Sequence, residues 1–378
     1  MFQGYQIALS ELTLPEIKSS NIYFDTSALL NIYRYSKNSA EDFIKAIYYF
    51  KNNIWLPYIV ALEYQTNRIT VLQQQSKVFE ELRKRNQKVK DDILRLFSGR
   101  QHYSICYEEV SKIIDDFHYK FDSYINESEK KHPNYIKHDP IQNEIMHLFD
   151  KKIGSVPSNE YLEKSYKEAE YRFKYKIPPG YEDKKNKENE FKIYGDLVIH
   201  SKYSDFLIWK EIIEHAKKEK KMVILVTDER KEDWCRIENG FILGPRPELV
   251  TELMQKSSVK FKLVSSSDFI KIVSKVRSIN ISKDTINDIE QSLLPSWKDI
   301  VLQAFKEIGP EIKLNELYEW IKKNTPRPLT QNWEVTARKT VYNHCKDRGI
   351  FLGKEDLFEA LDDSTYRLKD YSVNNNFS

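Results

Sequence analysis

Cysteine is nearly missing: Cys106, Cys235 and Cys345 are the three such residues in a chain of 378. They are far apart and odd in number, and no C-x-x-C pair exists. Neither a zinc site nor a disulfide framework is supported, and a reduced, cytoplasmic protein is expected. Glycine is also scarce, at 10 residues. Neither G-x-G-x-x-G nor G-x-x-x-x-G-K-[ST] occurs, which argues against the common nucleotide-binding folds. Long apolar runs are absent. Residues 222–226 form one of the longest, against the roughly 20 residues that a membrane span needs. No membrane partner is expected, and the first residues lack the basic start and apolar stretch of a secretory leader. Charge of one sign is absent as well. Lys and Arg number 60 against 57 Asp and Glu, a formal net charge of +3. That excludes a histone-like polycation and an acidic disordered tail. Any nucleic acid must therefore be met by local patches.

What is present is enough apolar content, 40%, to build cores, and a length that fits two domains. Residues 22–30 (IYFDTSALL) read as a buried strand running into a turn. A helix with a capping-box start at Ser39 and Asp42 follows, with Phe43, Ile44, Ile47 and Phe50 on one face. Residues 54–58 read as a second strand, and a helix carrying Glu63 begins after it. From about residue 71 to residue 180 the pattern is long, helical and rich in Lys, Glu, Tyr and Phe. Ile113, Phe117, Phe121 and Tyr124 keep a helical spacing there. The Pro-Pro-Gly run at 178–180 stops it, and residues 182–192 read as a lysine-rich mobile loop. Strand and helix then alternate: a helix over 204–217, a continuous apolar strand over 222–227, a short helix over 247–254 and a strand over 259–264. This order predicts a parallel α/β sheet interrupted by a large helical insertion.

The acidic residues fall where such a sheet would concentrate them. Asp25 and Asp228 sit at carboxyl ends of strands. Asp205 opens the helix before the apolar strand, and Glu63 lies early in the helix after the second strand. Ligands of parallel α/β sheets bind beyond the strand carboxyl ends. A lone Asp after a strand is more often a turn former or helix cap, and Asp205 could simply favour a helix N-terminus. Several acids at one edge shift the balance. Crowded carboxylates repel one another unless a cation neutralises them, and an oxygen-only set suits one or two Mg²⁺ or Mn²⁺ ions. Such ions activate water for phosphodiester hydrolysis.

The segments FDTSALLNIY, PYIVALEYQTNR, IPPGYEDKK, YSDFLIWKEI, ILVTDERKEDW and GPRPELV resemble, in this order, the bacterial PIN-like domain proteins of the PIN nuclease superfamily. The resemblance spans residues 20–274, within a PIN-like domain assigned to 1–275. It implies a Rossmann-like α/β/α sandwich and a metal-dependent nuclease, an endoribonuclease first of all, with Asp25, Glu63, Asp205 and Asp228 as catalytic metal ligands. Two alternatives stay open. Gly195-Asp196 and Ser204-Asp205 both offer the third aspartate, and Trp209 four residues on favours Asp205. After the apolar strand, Glu229 and Asp233 are further ligand candidates. Thr26, Ser27 and Thr227 either orient a carboxylate or serve turn chemistry. Asn67, Arg68, Arg230 and Lys231 are candidates for contact with backbone phosphates. A DNA nuclease of the flap type, or a catalytically silent nucleic-acid-binding or sensor protein, are the competing readings.

Residues 276–295 read as a partly helical linker. Residues 296–371 show a helix, helix, helix, hairpin order, with helices over 297–308, 314–323 and 333–346 and strands over 350–352 and 366–368. Segments around Trp297-Lys298-Asp299, Leu314-Asn315-Glu316 and Ala337-Arg338-Lys339 resemble the winged-helix modules of Mrr-like restriction proteins. A third-helix reader would offer Arg338, Lys339, Asn343 and Lys346. The module is balanced in charge, whereas DNA readers are usually basic, so it binds either nucleic acid or a partner protein, and a homo-oligomer is compatible. The restriction-like module associates the chain with anti-phage defence or toxin-like RNA cleavage.

Overall fold

The computed structural model describes residues 4–5, 12–96, 102–238, 241–276, 278–349, 351 and 355–369. A short helix α1 (Leu14–Lys18) leads into strand β1 (Asn21–Phe24), then α2 (Thr26–Asn31), α3 (Lys37–Tyr49) and β2 (Ile54–Trp55). Four helices follow: α4 (Tyr58–Leu96), α5 (Tyr107–Lys131), α6 (Pro140–Leu148) and α7 (Asn159–Lys174). After α8 (Asp183–Asn186) come the hairpin β3 (Phe191–Tyr194) and β4 (Leu197–His200), then α9 (Ser204–Glu219) and β5 (Val223–Val226). A second hairpin, β6 (Cys235–Glu238) and β7 (Phe241–Pro245), precedes α10 (Pro247–Ser257), β8 (Phe261–Val264), α11 (Ser266–Ser274) and α12 (Lys283–Ser292).

The central sheet has the order β2-β1-β5-β8 and is parallel throughout. Every residue of β1 and β5 is buried, as expected where helices cover both faces of a parallel sheet. Phe24 lies opposite Val226, and Val226 opposite Val264. This register sets Asp25 beside Thr227 at one edge. Phe24, Phe43 and Phe50 each pack against Phe269, so the face of α3 read from the sequence is the face that meets the sheet's helical cover. The mixed α/β architecture with a parallel sheet agrees with the expectation.

Several local readings differ. The expected turn after the strand is the start of a helix, because the Asp25 side chain accepts from the Ser27 N–H and caps α2. The cap of α3 is Ser36, not Ser39. The helix carrying Glu63 does not stop before the insertion; it is the same 39-residue helix, α4. Helix α5 and the second half of α4 contribute no residue to the main apolar core. The chain then returns to the sheet edge, where Leu56 and residues 152–154 exchange backbone hydrogen bonds of 2.9 Å. Residues 182–192 hold α8 and the start of β3. Within 276–295, α12 packs onto the main core through Ile289, and its Thr285 hydroxyl donates to Asp42 at 2.7 Å.

The C-terminal residues form a second apolar cluster, from Ile300 to Tyr366. Its elements are α13 (Trp297–Ile308), β9 (Glu311–Lys313), α14 (Leu314–Asn324), α15 (Trp333–Asn343), β10 (Phe358–Ala360) and β11 (Thr365–Leu368), with sheet order β10-β11-β9. Strand β9 was not legible in the sequence. The first hairpin strand is β10, later than expected; the expected 350–352 segment falls largely outside the described residues, as does the polar tail after 369. Helix α15 stops at Asn343, so Lys346 lies beyond it.

Candidate active site

Asp25 follows β1 directly, and the parallel register brings the Thr227 hydroxyl to it beside that of Ser27. Its Oδ2 accepts from Ser27 Oγ at 2.6 Å and from Thr227 Oγ1 at 2.9 Å. Burial pushes the Asp25 carboxyl above its usual range; the two hydroxyls offset this in part, while Glu229 and Glu63 push the same way as burial. Ser27 also ties the two strand ends together, since its Oγ accepts from the Asp228 N–H at 3.1 Å.

Glu63 lies one turn into α4, buried. Thr26 Oγ1 donates to its Oε2 at 2.8 Å, and Lys192 Nζ donates to its Oε1 at 2.5 Å. Burial alone would raise its pKa, but the Lys192 ammonium, helped by hydrogen bonds from Lys192, Thr26 and Ser204, outweighs burial and holds the carboxyl below its ordinary range. The long helix is itself held at its start by Glu211 of α9, whose carboxylate accepts from the Tyr58 N–H at 2.8 Å and the Ile59 N–H at 3.3 Å. A side chain from another element thus serves the unpaired first-turn donors of α4.

Asp205, in the first turn of α9, accepts from Trp234 Nε1 at 3.2 Å. Burial pushes it up to about 7, the nearby Lys231 pulling in the opposite direction. Lys231 Nζ sits among Asp183 at 2.7 Å, Glu229 at 3.3 Å and Asp205 at 3.8 Å. Burial works to lower its pKa; the three acids override it and keep the ammonium charged. Lys231, expected as a phosphate contact, is held here as a counter-ion to these three acids.

Asp228 takes a different direction. Its oxygens accept from Asn31 Nδ2 at 2.7 Å, from the Ser266 N–H at 2.8 Å and from Ser266 Oγ at 2.8 Å. Asn31 in turn accepts from Arg34 at 2.6 Å. Asp228 thus joins the end of α2 to the start of α11, and it is Glu229, the second of the two consecutive acids, that acts electrostatically on Asp25. Asp233 is fully buried and braces the Pro178-Pro179-Gly180 turn, accepting from the Gly180 N–H at 2.8 Å and the Glu182 N–H at 3.2 Å. Gly180 has φ +95°, and a Cβ there would meet Asp205 Cβ at 3.2 Å, so this close approach needs glycine. Asp196 is exposed in the turn between β3 and β4.

The remaining candidates separate clearly. Arg68 pairs with buried Asp139, which also accepts from Tyr33, so it is structural. Asn67 and Arg230 are exposed. Arg338 and Lys339 are exposed on α15; Asn343 is half-buried, and Lys346 pairs with Asp356 at 3.5 Å. Sequence reading missed Lys192, Asp183, Asn31, Ser266 and Glu211. For Lys192 a signal existed: FKIY and LVIH flank Gly195-Asp196, a hairpin pattern.

Among the described residues, no three His, Cys, Asp or Glu side chains are grouped as a ready metal cage. Lys192 pairs with Glu63, Lys231 sits between Asp183, Asp205 and Glu229, and Asp228 is held by Asn31 and Ser266. The donor type still suits a hard divalent ion, being carboxylate oxygen throughout.

A parallel sheet with acids gathered past its carboxyl edge defines an α/β domain built to act at that edge. The family is shown directly. The chain matches the family model described as PIN like domain over residues 21–249, and it belongs to the PIN-like domain family. Such domains are generally nucleases, which makes nuclease-type hydrolysis the activity class at that coarse level. No curated protein and no solved structure matches the chain. Among the described residues, no helix is long and apolar enough to cross a membrane.

Proposed function

We propose that the protein is a divalent-metal-dependent endoribonuclease whose centre is Asp25, Glu63, Asp205 and Glu229. The observation that carries this reading is Asp25 itself: a buried carboxylate with Glu63 and Glu229 acting on it as like charges, and hydroxyls as its own partners. A buried acid facing further acids calls for a cation. A bound Mg²⁺ or Mn²⁺ ion supplies Lewis-acid stabilisation of phosphate charge and a more acidic water. Asp25 and Glu63 would hold it, with Asp205 and Glu229 on the Lys231 side. Thr26, Ser27 and Thr227 orient the carboxylates, and exposed Arg230 and Asn67 are placed to attract backbone phosphate.

The C-terminal cluster is read as a winged helix that presents Arg338 and Lys339 from α15 to nucleic acid. A defence or toxin-like setting fits a nuclease joined to such a module. The test is cleavage of labelled RNA and of labelled DNA with Mn²⁺, by the wild type and by Asp25→Asn. RNA cleavage that Asp25→Asn abolishes supports the reading. Cleavage of DNA alone replaces the substrate, and no divalent-dependent cleavage of either overturns the enzyme in favour of a binding protein.

A further inference from the structure

The half of α4 beyond Leu72 and the whole of α5 form an antiparallel helical pair that buries very little. Beyond Leu72, its fully buried side chains among the described residues are Asn86 and Ile125. The two helices meet through polar pairs: Arg83 reaches Asn126 and Glu129, Asn86 reaches Asp122 at 3.0 Å, and Lys90 meets Asp115 at 2.8 Å. Phe79 packs edge-on to His132. These contacts define the inward row of each helix.

Phe79 and Ile125 aside, apolar residues of the pair lie off that row. Val78, Leu82 and Val89 on α4, and Ile113, Phe117 and Tyr124 on α5, are between 37% and 68% exposed. The two triplets share the same spacing, i, i+4, i+11, which is one face of a helix. Val78, Leu82 and Val89 each precede by one residue an inward-facing neighbour, Phe79, Arg83 and Lys90. Phe117 and Tyr124 likewise precede His118 and Ile125. One residue is about 100° of helix turn. In an antiparallel pair, a step back by one residue on both helices turns both stripes to the same side. The hairpin therefore presents one continuous apolar face to solvent, and a face of this kind on a soluble domain marks an interaction surface.

Charge selects the occupant. Residues 77–96 carry seven Lys or Arg against four Asp or Glu, and residues 107–131 carry seven Asp or Glu against four Lys. One helix is basic and the other acidic by the same margin. A nucleic acid would be repelled by α5. A second copy of the chain fits: a two-fold axis running along the helices lays α4 of one copy over α5 of the other, opposite charges facing. The other two-fold arrangement stacks α4 on α4 and opposes like charges.

We propose that this hairpin face is a homodimer interface, closing into an antiparallel four-helix bundle. The intrachain contacts set Leu82 level with Tyr124 and Val89 level with Phe117. In the dimer, Val89 of one copy meets Phe117 of the other, and Leu82 meets Tyr124.

Sedimentation or light scattering of the full chain tests this. The wild type should run at twice the 45.1 kDa chain mass at micromolar concentration, and the Leu82→Glu/Phe117→Glu variant at the monomer mass. Both changes sit on exposed positions, so the circular dichroism spectrum and core melting should be retained. Mixed chains of Val89→Cys and Phe117→Cys, each with exposed Cys106 replaced by Ser, should form the mixed disulfide on mild oxidation. A monomeric wild type, or a variant that stays dimeric, overturns the interface. Disulfides within Val89→Cys chains alone overturn the arrangement. A monomeric wild type whose RNA binding weakens in the Glu variant assigns the face to nucleic acid instead.

Discussion

Lys192 Nζ lies 2.5 Å from Glu63 Oε1, and both side chains are nearly buried, at 13% and 11% exposure. The pair joins β3 to the helix of the candidate centre, and it keeps Glu63 ionised where burial alone would protonate it.

Lys192→Met leaves that carboxylate buried and unpaired. Removing one partner of a buried ion pair costs about 3–5 kcal/mol, and a loss of that size is expected in urea unfolding at pH 7. Because the folded-state pKa of Glu63 is depressed, its contribution is present above the ordinary value of 4.5 and fades as pH falls through the folded value. The penalty of the variant should therefore shrink towards pH 4. An equal loss at both pH values would contradict the ion pair as its cause.

Glu211 carries the opposite sign. Burial pushes its carboxyl up to about 7 although the Tyr58 and Ile59 N–H groups favour the charged form. A raised acid binds its proton more tightly in the folded state, so stability is highest below the ordinary carboxyl range and is lost as pH rises through about 7. Glu211→Gln keeps one acceptor for the Tyr58 N–H and removes the titration. Between pH 5 and pH 8 the wild type should lose of order 2 kcal/mol more than the variant, read as the difference in their urea midpoints. Parallel pH profiles would remove Glu211 as the source.

The α/β sheet was legible because its strands are continuous apolar runs ended by Asp or Thr, and because strand and helix alternate at regular spacing. Asp25, Glu63 and Asp205 could be picked out as candidates from position alone. Direction could not be read. That Asp228 turns to Ser266 depends on where α11 starts, 38 residues later. Lys192 was hidden by lysine-rich surroundings that suggest a loop. Lys231 was read as a surface cation because three separate elements are needed to bring Asp183, Asp205 and Glu229 around it.

Arg172 of α7 donates to both oxygens of Glu252 on α10, at 2.7 and 2.8 Å, and also to the Pro178 carbonyl. Trp209 Nε1 donates to the same carboxylate at 2.8 Å. Against burial, these partners hold Glu252 down at about 2. Arg172→Met should cost about 3 kcal/mol, since it leaves the largely buried Glu252 carboxylate with Trp209 and Lys256 alone. Arg172→Met/Glu252→Leu should recover part of that loss in a double-mutant cycle. Additive losses would show that the pair does not act as a unit.

Asp25→Asn and Asp228→Asn separate a reacting site from its scaffold. Asn at position 25 keeps an acceptor for Ser27 or Thr227 but removes the charge that a cation would need. Divalent-dependent cleavage should fall at least about 100-fold, the scale lost with one strong electrostatic contribution to a transition state, and Mn²⁺ should no longer raise the melting temperature. Asn at position 228 still accepts from the Ser266 N–H, but its amide opposes the Asn31 amide and loses a hydrogen bond. That should cost about 1–3 kcal/mol of stability while cleavage per folded molecule falls less than about tenfold and the Mn²⁺ shift persists. The two carboxylates differ only in what faces them, so equal loss of cleavage and of the Mn²⁺ shift in both variants would place Asp228 among the cation's ligands and exclude its assignment as a brace between α2 and α11.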